Sequence, residues 1–585
     1  MGFLANAAFG YNPASNFASV VGTCCQRRLL IFMSEPALPK RGTLIFLALL
    51  LIATWFGTLE VRKLVRPDEG RYAEIPREMV ATGDWLTPRL NAIKYFEKPP
   101  LQYWATATAY TVFGEHHWSA RLWPALTGFM CVLLIYFAGR RLFGEVVGFY
   151  AALILAASPG FIIVAQINTL DMGLTLFMTA TLLCLLLALN EPTGRNSPWM
   201  VAAWACAALA MLSKGLIGIV LPGAVFVAYV LWQRDWRLLA RLRWGWGLLV
   251  FFALAAPWFI LVQLANPEFF DFFFIREHFA RFASKVHRRE GGWWYFLPIL
   301  VFAMLPWIMH LPRALLNGWR NTPGDGHFHP RRFLVLWSVL IFLFFSASGS
   351  KLPSYIVPIF PALALLIAHT LASVSINALR WNALLPAAGA IALMAYAPYV
   401  TGWANEKVPL ELYALYTPWL LAAGAAGLAG YLAAAWASWR GLRTAAVIGI
   451  SLGTLALSQL AALGHNVLAP ASSAYHMAQL IKPHLEAGIP FYSVHNYEQT
   501  LPFYIKRPLT LVEYADEMAF GLQQEPSLWL PDVPRYVKAW HSHSRALAII
   551  VPSTYAKLEK DGLPMQVIGK NVRYVVVKKP HADVK

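Results

Sequence analysis

Charged residues are scarce in this chain, which excludes an ordinary soluble protein. They make up 13% of the 585 residues, whereas hydrophobic residues make up 58%. A soluble domain carries about 25% charged residues, and a core surrounded by water has no room for so much apolar surface. A bilayer does, and each spanning helix needs about 20 mostly apolar residues. The composition therefore predicts a polytopic α-helical membrane protein.

Cysteines are few in this chain, and no internal repeat is obvious. The five cysteines have no metal-like spacing, and none lies in the C-terminal tail, so no disulfide framework is expected; they are Cys24, Cys25, Cys131, Cys184 and Cys206. The tail contains no nucleotide-binding glycine loop. No internal repeat is obvious, which argues against a transporter built from inverted halves.

The positive net charge, +18 at pH 7, is interpreted as a sign of membrane topology. Arginines concentrate in every second loop between the apolar runs, as expected of cytoplasmic loops. With Lys40 and Arg41 in the cytoplasm, an odd number of spans places the C-terminus outside. We therefore expect membrane lipids as partners and no nucleic acid. About thirteen spanning helices are predicted, near residues 43–58, 119–138, 147–165, 171–190, 198–212, 215–232, 246–265, 295–312, 333–346, 355–372, 380–398, 416–437 and 444–463.

Three regions follow from these patterns. Residues 1–42 are an N-terminal extension and cytoplasmic start without a signal-peptide pattern, and Met33 is an alternative start to Met1. Residues 43–463 form a transmembrane catalytic domain with polar outer loops at 61–118 and 266–294. Residues 464–585 form a small soluble α/β domain. Its strands are predicted at 490–494, 509–512, 546–551 and 573–577, and its helices at 474–485, 534–541 and 554–561.

Two acidic positions are candidates for catalysis. Asp68 and Glu69 follow the first span directly, and an acid pair near a bilayer can supply a general base or a metal ligand. Pro67 and Gly70 would shape a defined turn around this pair. The alternative is a solvated turn, neutralised by its flanking arginines. Asp171 begins the fourth span. The alternative there is that Asn168 caps the helix while Asp171 interacts with its dipole.

Several cations reach the same outer face and together predict a phosphate-binding surface. Lys98 precedes a rigid Pro-Pro pair, Lys214 lies between two apolar helices, and Lys351 and Tyr355 lie in a short turn. Each alone is equally consistent with interfacial anchoring. No cofactor is required by these patterns, although Glu97 and His278 are candidate ligands of a divalent metal ion.

Taken in order, these residues resemble the lipid A 4-amino-4-deoxy-L-arabinose transferases, within the protein O-mannosyltransferase-like superfamily. The resemblance covers most of residues 43–372, and the C-terminal third matches only in general layout. The residues that carry it are Arg66-Pro67-Asp68-Glu69-Gly70-Arg71-Tyr72-Ala73-Glu74, Gly83-Asp84-Trp85, Phe96-Glu97-Lys98-Pro99-Pro100-Leu101, Asp171, Leu212-Ser213-Lys214-Gly215, Arg276-Glu277-His278 and Ser350-Lys351-Leu352-Pro353 with Tyr355.

The resemblance implies a GT-C glycosyltransferase of the bacterial inner membrane, with its active site and C-terminal domain in the periplasm. The donor would be 4-amino-4-deoxy-L-arabinose on undecaprenyl phosphate. The acceptor would be a lipid A phosphate, and the modification would confer resistance to polymyxin and other cationic peptides. Asp68 and Asp171 would be the catalytic acids. The predicted substrate- and phosphate-binding residues are Glu69, Arg71, Tyr95, Lys98, Lys214, Arg276, Arg281, Lys351 and Tyr355.

Three alternatives remain open at this point. The enzyme can transfer another polyprenyl-linked sugar, such as a hexosamine, hexose or mannose, to lipid A, a glycan or a protein. The chain can instead be a flippase or transporter for lipid-linked sugars. Lastly, the membrane part can be an anchor for a C-terminal partner-binding module, although the long polar loops argue against a passive anchor.

Overall fold

The computed structural model describes residues 37–191, 197–280, 291–320 and 328–580, so the predicted extension at 1–32 and Met33 lie outside the described residues. A short antiparallel hairpin, β1 (Arg89–Leu90) and β2 (Ile93–Lys94), stands among the early helices. The helices up to residue 280 are α1 (Arg41–Phe56), α2 (Asp68–Thr82), α3 (Leu101–Phe113), α4 (His117–Phe143), α5 (Glu145–Ala157), α6 (Pro159–Ala165), α7 (Asp171–Asn190), α8 (Pro198–Lys214), α9 (Ile217–Gln233), α10 (Arg237–Ala240), α11 (Trp244–Ala265) and a π-helix (Asp271–Ala280).

The second half of the chain completes the helical bundle and then changes character. Its membrane part contains α12 (Phe296–Ala303), α13 (Leu311–Arg320), α14 (Pro330–Ala347), α15 (Phe360–Ser373), α16 (Ile376–Tyr396), α17 (Leu410–Trp439) and α18 (Arg443–Gly464), with 3₁₀ turns at Trp307–His310, Pro353–Ile359, Ala397–Trp403 and His465–Leu468. The tail contains α19 (Ala469–Ser472), α20 (Tyr475–Ile481), β3 (Phe491–Val494), α21 (Leu501–Ile505), β4 (Thr510–Val512), α22 (Ala519–Gln524), β5 (Trp529–Leu530), α23 (Val533–Ser542), β6 (Leu547–Ile550), α24 (Pro552–Lys560), β7 (Gln566–Lys570) and β8 (Val575–Lys578), with 3₁₀ turns at Lys482–His484, Asp516–Met518 and Pro526–Leu528.

Every predicted apolar run coincides with a helix or with a bent helix pair. In the described ranges, eight helices are long and apolar enough to cross a membrane. Two bent pairs, α5 with α6 and α12 with the helical stretch Trp307–Arg320, raise that number to ten if each pair is one span. The remaining runs correspond to the shorter apolar helices α1, α8 and α9. The total of thirteen spans stays a prediction.

Two helices, α7 and α15, form the centre of the bundle. Both are buried along nearly their whole length, since their apolar residues face protein in every direction. A helix that is apolar all round is expected at such a position. The outer helices, such as α11, instead expose large apolar side chains on one face, as a lipid-facing helix does.

The predicted polar loop at 61–118 folds into α2, the hairpin and α3. Two acids in the first turn of α2 suit the positive end of its dipole, and the helix ends at Gly83 with a left-handed φ of 75°. Gly70 lies inside this helix and not in a turn. A Cβ atom there would approach the backbone of Gln499 and Thr500 to 2.5–2.6 Å, so glycine permits α2 to pack directly on the C-terminal domain.

The C-terminal domain is built on a six-stranded mixed sheet in the order β5-β4-β3-β6-β8-β7. Strands β3, β4, β5 and β6 are parallel, and β8 and β7 add to β6 in antiparallel fashion. The central strands β3 and β6 are buried at every residue, as expected for a sheet covered on both faces. The four predicted strands are confirmed. The edge strands β5 and β7 were not predicted, because β5 has two residues and β7 is largely exposed.

Two contacts fix this domain on the hairpin. The Asn91 side chain accepts a hydrogen bond from the Leu509 amide at 2.7 Å and donates one to the Leu509 carbonyl at 2.8 Å. Arg89 forms an ion pair with Glu525 at 2.7 Å. The C-terminal domain therefore lies against the segment that begins with Asp68.

Candidate active site

Asp68 is the first residue of α2 and presents an accessible carboxylate. Its side chain is 39% exposed, and Arg71 one turn later donates a long hydrogen bond to it at 3.4 Å. The solvated-turn alternative expected Arg66 to neutralise this acid pair. The Arg66 guanidinium lies instead 3.9 Å from the Glu498 carboxylate of the C-terminal domain. Asp68 is thus only loosely held and can contact a substrate.

Glu69, the neighbouring acid, is directed into the protein and is 1% exposed. Its carboxylate accepts hydrogen bonds from Arg121 at 2.7 and 2.8 Å and from the Asn168 amide at 3.0 Å. Burial opposes ionisation, but the charge and hydrogen bonds of Arg121 outweigh it and lower the pKa of Glu69 to about 2. The predicted substrate-binding residue Glu69 is therefore an ionised, internally paired carboxylate.

Asp171, the first residue of α7, is ion-paired with Lys214, the last residue of α8. Its side chain is 11% exposed. The Lys214 ammonium also lies 4.7 Å from the centre of the Tyr355 ring, close enough for a cation–π interaction. This ion pair joins the start of α7 to the end of α8.

Asn168 does not cap α7, so the capping role considered for Asn168 from the sequence is wrong. The residue at the cap position is Leu170, with no side-chain cap. The Asn168 side-chain carbonyl accepts a hydrogen bond from Gln102 of α3 at 2.8 Å. Asp171 does lie in the first turn of α7, where its charge interacts favourably with the helix dipole, as the same alternative expected.

Arg71 joins the membrane domain to the C-terminal domain inside the site. It is ion-paired with Glu517, which lies between β4 and α22, and Gln499 donates a hydrogen bond to the same carboxylate at 3.3 Å. The guanidinium also lies 5.9 Å from the Tyr95 ring. Burial raises the pKa of Glu517, with Arg71 opposing the shift. Glu517 was missed by sequence reasoning, because an acidic pair in a polar tail is ordinarily a solvated turn.

Tyr95 and Tyr103 place two buried hydroxyl groups near this arginine. Both side chains are at most 2% exposed, and neither hydroxyl has a hydrogen-bond partner among the described residues. Burial and the charge of Glu97 raise the pKa of both phenols, and the charge of Arg71 opposes the shift. Neutral hydroxyl groups of this kind can donate to and accept from the hydroxyl groups of a sugar.

Lys98 lies between two carboxylates. Its ammonium is 3.8 Å from the Glu97 carboxylate and 3.5 Å from that of Glu277, and it donates a hydrogen bond to the Glu97 carbonyl at 2.7 Å. The contact with Glu277 connects Lys98 to the π-helix. A predicted phosphate ligand is therefore present at the site as a paired cation.

The other predicted phosphate ligands are placed differently. Lys351 is buried and donates hydrogen bonds to the carbonyl groups of Gly291 and Ser348 at 3.0 and 2.7 Å. Arg276 is 60% exposed and forms an ion pair with Asp271 on its own helix at 2.9 Å. Arg281 lies outside the described residues. The predicted roles of these three residues stay predictions.

The predicted metal site gains no support from the geometry of its described member. The Glu97 carboxylate faces the Lys98 ammonium, a neighbour that repels a second cation. The His278 side chain lies outside the described residues. Among the described side chains, no group of three His, Cys, Asp or Glu residues could hold a metal ion. The metal ion stays a prediction.

Comparisons with known proteins identify the family. The family model "Aminoarabinose transferase C-terminal domain" matches residues 477–579, and "Dolichyl-phosphate-mannose-protein mannosyltransferase" matches residues 97–261. A relative from Shewanella sediminis, named undecaprenyl phosphate-alpha-4-amino-4-deoxy-L-arabinose arabinosyl transferase, is 33% identical over 392 residues, which are 65% of this chain and 69% of the relative. A similarly named relative from Proteus mirabilis is 36% identical, over 57% of this chain and 60% of the relative.

The chain belongs to the aminoarabinose transferase family. The crystal structure of ArnT from Cupriavidus metallidurans bound to undecaprenyl phosphate superimposes with a TM-score of 0.88 at 38% identity, covering 93% of this chain and 99% of that one. The apo form of the same protein superimposes with a TM-score of 0.86 at 38% identity, covering 92% of this chain and 98% of that one. The predicted family, the GT-C fold and the assignment as a glycosyltransferase are confirmed, and the flippase alternative is set aside.

The aminoarabinose transferase match also corrects the expectation for the C-terminal third. That third was expected to match only in general layout, yet a model specific to this family covers residues 477–579. The same region contributes Glu517 to the site. A domain that supplies a side chain to the site is more than a partner-binding appendage.

Proposed function

We propose that this chain transfers 4-amino-4-deoxy-L-arabinose from undecaprenyl phosphate to a phosphate group of lipid A, at the periplasmic face of the bacterial inner membrane. The named substrates of its relatives support the donor. The concentration of arginines in alternate loops supports the orientation. The observation that carries the proposal is that, in a member of the aminoarabinose transferase family, α2 begins with the accessible carboxylate of Asp68 and α7 begins with Asp171, which is ion-paired with Lys214.

The reaction exchanges one carbon–oxygen bond for another. An oxygen of the acceptor phosphate forms a bond to the anomeric carbon of the donor sugar. The bond from that carbon to the undecaprenyl phosphate oxygen breaks, and the phosphate leaves with the electron pair. A lipid A phosphate is already largely ionised near neutral pH, so the reaction needs little help from a base. The accessible carboxylate of Asp68 orients the reacting groups or accepts the last proton of the acceptor.

Cations stabilise the charge that develops on the leaving group. Lys98 has its ammonium within 4 Å of two carboxylates, so an arriving phosphate competes for a cation that is already held in place. A preorganised charge requires little rearrangement during the reaction, which makes it effective in catalysis. Asp171 holds Lys214 in the same manner.

The amino group of the sugar has a matching partner in Glu517. This carboxylate is 15% exposed and already lies between Arg71 and Gln499. An ammonium group that approaches it gains a charge-assisted hydrogen bond, whereas a neutral hexose or mannose does not. The hydroxyl groups of Tyr95 and Tyr103 can bind the sugar hydroxyls. These features favour an aminosugar donor over the other sugars.

The proposal is tested in bacteria that make the donor but lack their own transferase. We expect mass spectrometry of lipid A to show the added aminoarabinose mass with the wild-type chain and not with Asp68→Asn. Cells with modified lipid A should also survive more polymyxin, because the added ammonium reduces negative surface charge.

Asp561→Asn, an exposed acid at the end of α24, is the matched control and should retain full transfer. Unmodified lipid A from well-expressed wild-type protein with donor present would overturn the proposed substrates. Full transfer by Asp68→Asn would overturn the role of Asp68.

A further inference from the structure

A buried carboxylate connects the two segments that carry the proposed catalytic acids. One oxygen of Glu69 accepts a hydrogen bond from the Asn168 amide at 3.0 Å, and the other accepts one from the Val65 amide at 2.9 Å. Asn168 precedes Asp171 by three residues, and Glu69 follows Asp68 directly. The start of α2 and the turn before α7 are therefore joined through a single side chain.

Arg121 of α4 fixes this carboxylate in turn. It is fully buried, and it donates to both oxygens of Glu69 at 2.7 and 2.8 Å. Its remaining donors bind the carbonyl groups that follow α1, at Leu59 (2.9 Å), Arg62 (2.5 Å) and Lys63 (3.0 Å). An arginine that binds in this bidentate way fixes direction as well as distance. The Glu69–Arg121 pair is thus fastened to the end of the first span.

A second connection supports the turn before α7. Gln102 of α3 donates a hydrogen bond to the Asn168 side chain at 2.8 Å, and both residues are buried. Asn168 is therefore held by its backbone through Glu69 and by its side chain through Gln102. Five segments meet at this point: the end of α1, the start of α2, α3, α4 and the turn before α7.

We propose that Glu69 is a positioning residue that sets the separation and orientation of Asp68 and Asp171, acting through its hydrogen bond to the Asn168 amide. This inference rests on the proposed catalytic roles of those two acids. Glu69 itself touches no substrate. A displacement of about 1 Å between groups that must act together can cost about 100-fold in rate, so the loss of this connection should reduce turnover far more than binding.

The same helix offers a matched control. Glu74 accepts two hydrogen bonds from Arg77, both at 2.6 Å, and both side chains are at most 7% exposed. This second Arg–Glu pair is also buried and bidentate, but both partners are on α2. Breaking it removes an ion pair of the same kind without disconnecting α2 from the turn before α7.

The test compares Glu69→Gln and Glu74→Gln in purified full-length protein reconstituted in lipid nanodiscs, with donor lipid and lipid A. We expect Glu69→Gln to lower kcat per folded molecule about 100-fold, with KM values within about threefold of wild type. Glu74→Gln should lower the melting temperature but leave kcat within about threefold. Equal kcat values for the two variants, or a loss that merely follows the folded fraction, would overturn the inference.

A double-mutant cycle provides a readout that a purely structural role would not produce. If Glu69 acts through Asp68, Glu69→Gln should cost less than about threefold in kcat when Asp68→Asn is already present. Additive losses would overturn the inference. If Glu69→Gln does not fold, Glu69→Asp replaces it, because it keeps the charge opposite Arg121 but shortens the side chain that reaches the Asn168 amide. A loss in kcat of about tenfold at unchanged KM is expected, and unchanged kcat would overturn the inference. Failure of the proposed function is distinguished from failure of this inference, because the wild-type chain itself would then transfer no aminoarabinose.

Discussion

Asp68 and Asp171 begin two helices of the same site, yet their surroundings differ sharply. Asp68 is 39% exposed with a 3.4 Å contact to Arg71, whereas Asp171 is 11% exposed and ion-paired with Lys214. A loosely held carboxylate can exchange its partner for a substrate. A tightly paired one keeps a neighbouring cation in place. Two acids with similar positions on their helices therefore support different roles, one in contact with substrate and the other in electrostatic support.

The largest effect should separate these two acids. Asp68→Asn should lower kcat about 1,000-fold with little change in melting temperature, because it removes a reacting group without leaving a buried charge unpaired. Asp171→Asn should lower both kcat and the melting temperature, because Lys214 loses its partner in a poorly solvated place. Steady-state kinetics and thermal unfolding on the same preparations measure both quantities. If both variants show the same pattern, the two acids do not have distinct roles.

A smaller effect should follow from Glu517, the contribution of the C-terminal domain. Glu517→Gln keeps the shape of the side chain but removes its charge. We expect kcat/KM for the aminosugar donor to fall about 10- to 100-fold, because a charge-assisted hydrogen bond becomes a neutral one. The donor N-acetylated at the same amino group should be affected less than threefold. Equal losses for both donors would mean that Glu517 does not recognise the ammonium group.

The smallest effect concerns Glu78 of α2, a helix that lies outside the spanning helices. Burial and the nearby charge of Glu74 raise the pKa of Glu78 well above its ordinary value of 4.5, against the amide of Ala92 and the charge of Arg77. Tyr497 of the C-terminal domain faces the same pair of acids. Above pH 4.5 the folded state therefore binds more protons than the unfolded state, and stability falls as the pH rises toward the raised value.

Glu78→Gln cannot ionise and should remove this dependence. The slope for one such group is at most about 1.4 kcal/mol per pH unit. Melting temperatures measured from pH 5 upward should decline more steeply in wild type than in the variant. Parallel curves would show that Glu78 is already ionised in the folded protein. Glu78→Gln should leave the pH dependence of kcat unchanged.

The bundle could be predicted from the sequence, because an apolar run of sufficient length has few alternatives to a spanning helix. The central strands of the tail were found for a similar reason, since β3 and β6 are continuous apolar runs. Helix α2 was not predicted as a helix. Its buried residues include Glu69, Arg71 and Glu74, so polar side chains paired inside the protein concealed the expected periodicity.

The sequence predicted a site residue only where its neighbours along the chain make it stand out. Asp68, Asp171 and Lys214 stand at the ends of apolar helices, which makes an acid or a cation conspicuous. The buried character of Glu69 depends on Arg121, 52 residues away, and that of Glu517 on Arg71, 446 residues away. No local pattern contains such information. The capping role considered for Asn168 failed for the same reason, since its partners are Gln102 and Glu69.

The contacts of the C-terminal domain have a consequence for biosynthesis. Arg71 receives Glu517, Arg66 approaches Glu498, and Asn91 binds Leu509, so an early outer segment is completed by residues made more than 400 positions later. Until the C-terminal domain is made, Arg66, Arg71 and Asn91 lack these partners. We therefore expect a chain terminated before this domain to show no transfer activity, even where its apolar helices are inserted into the bilayer.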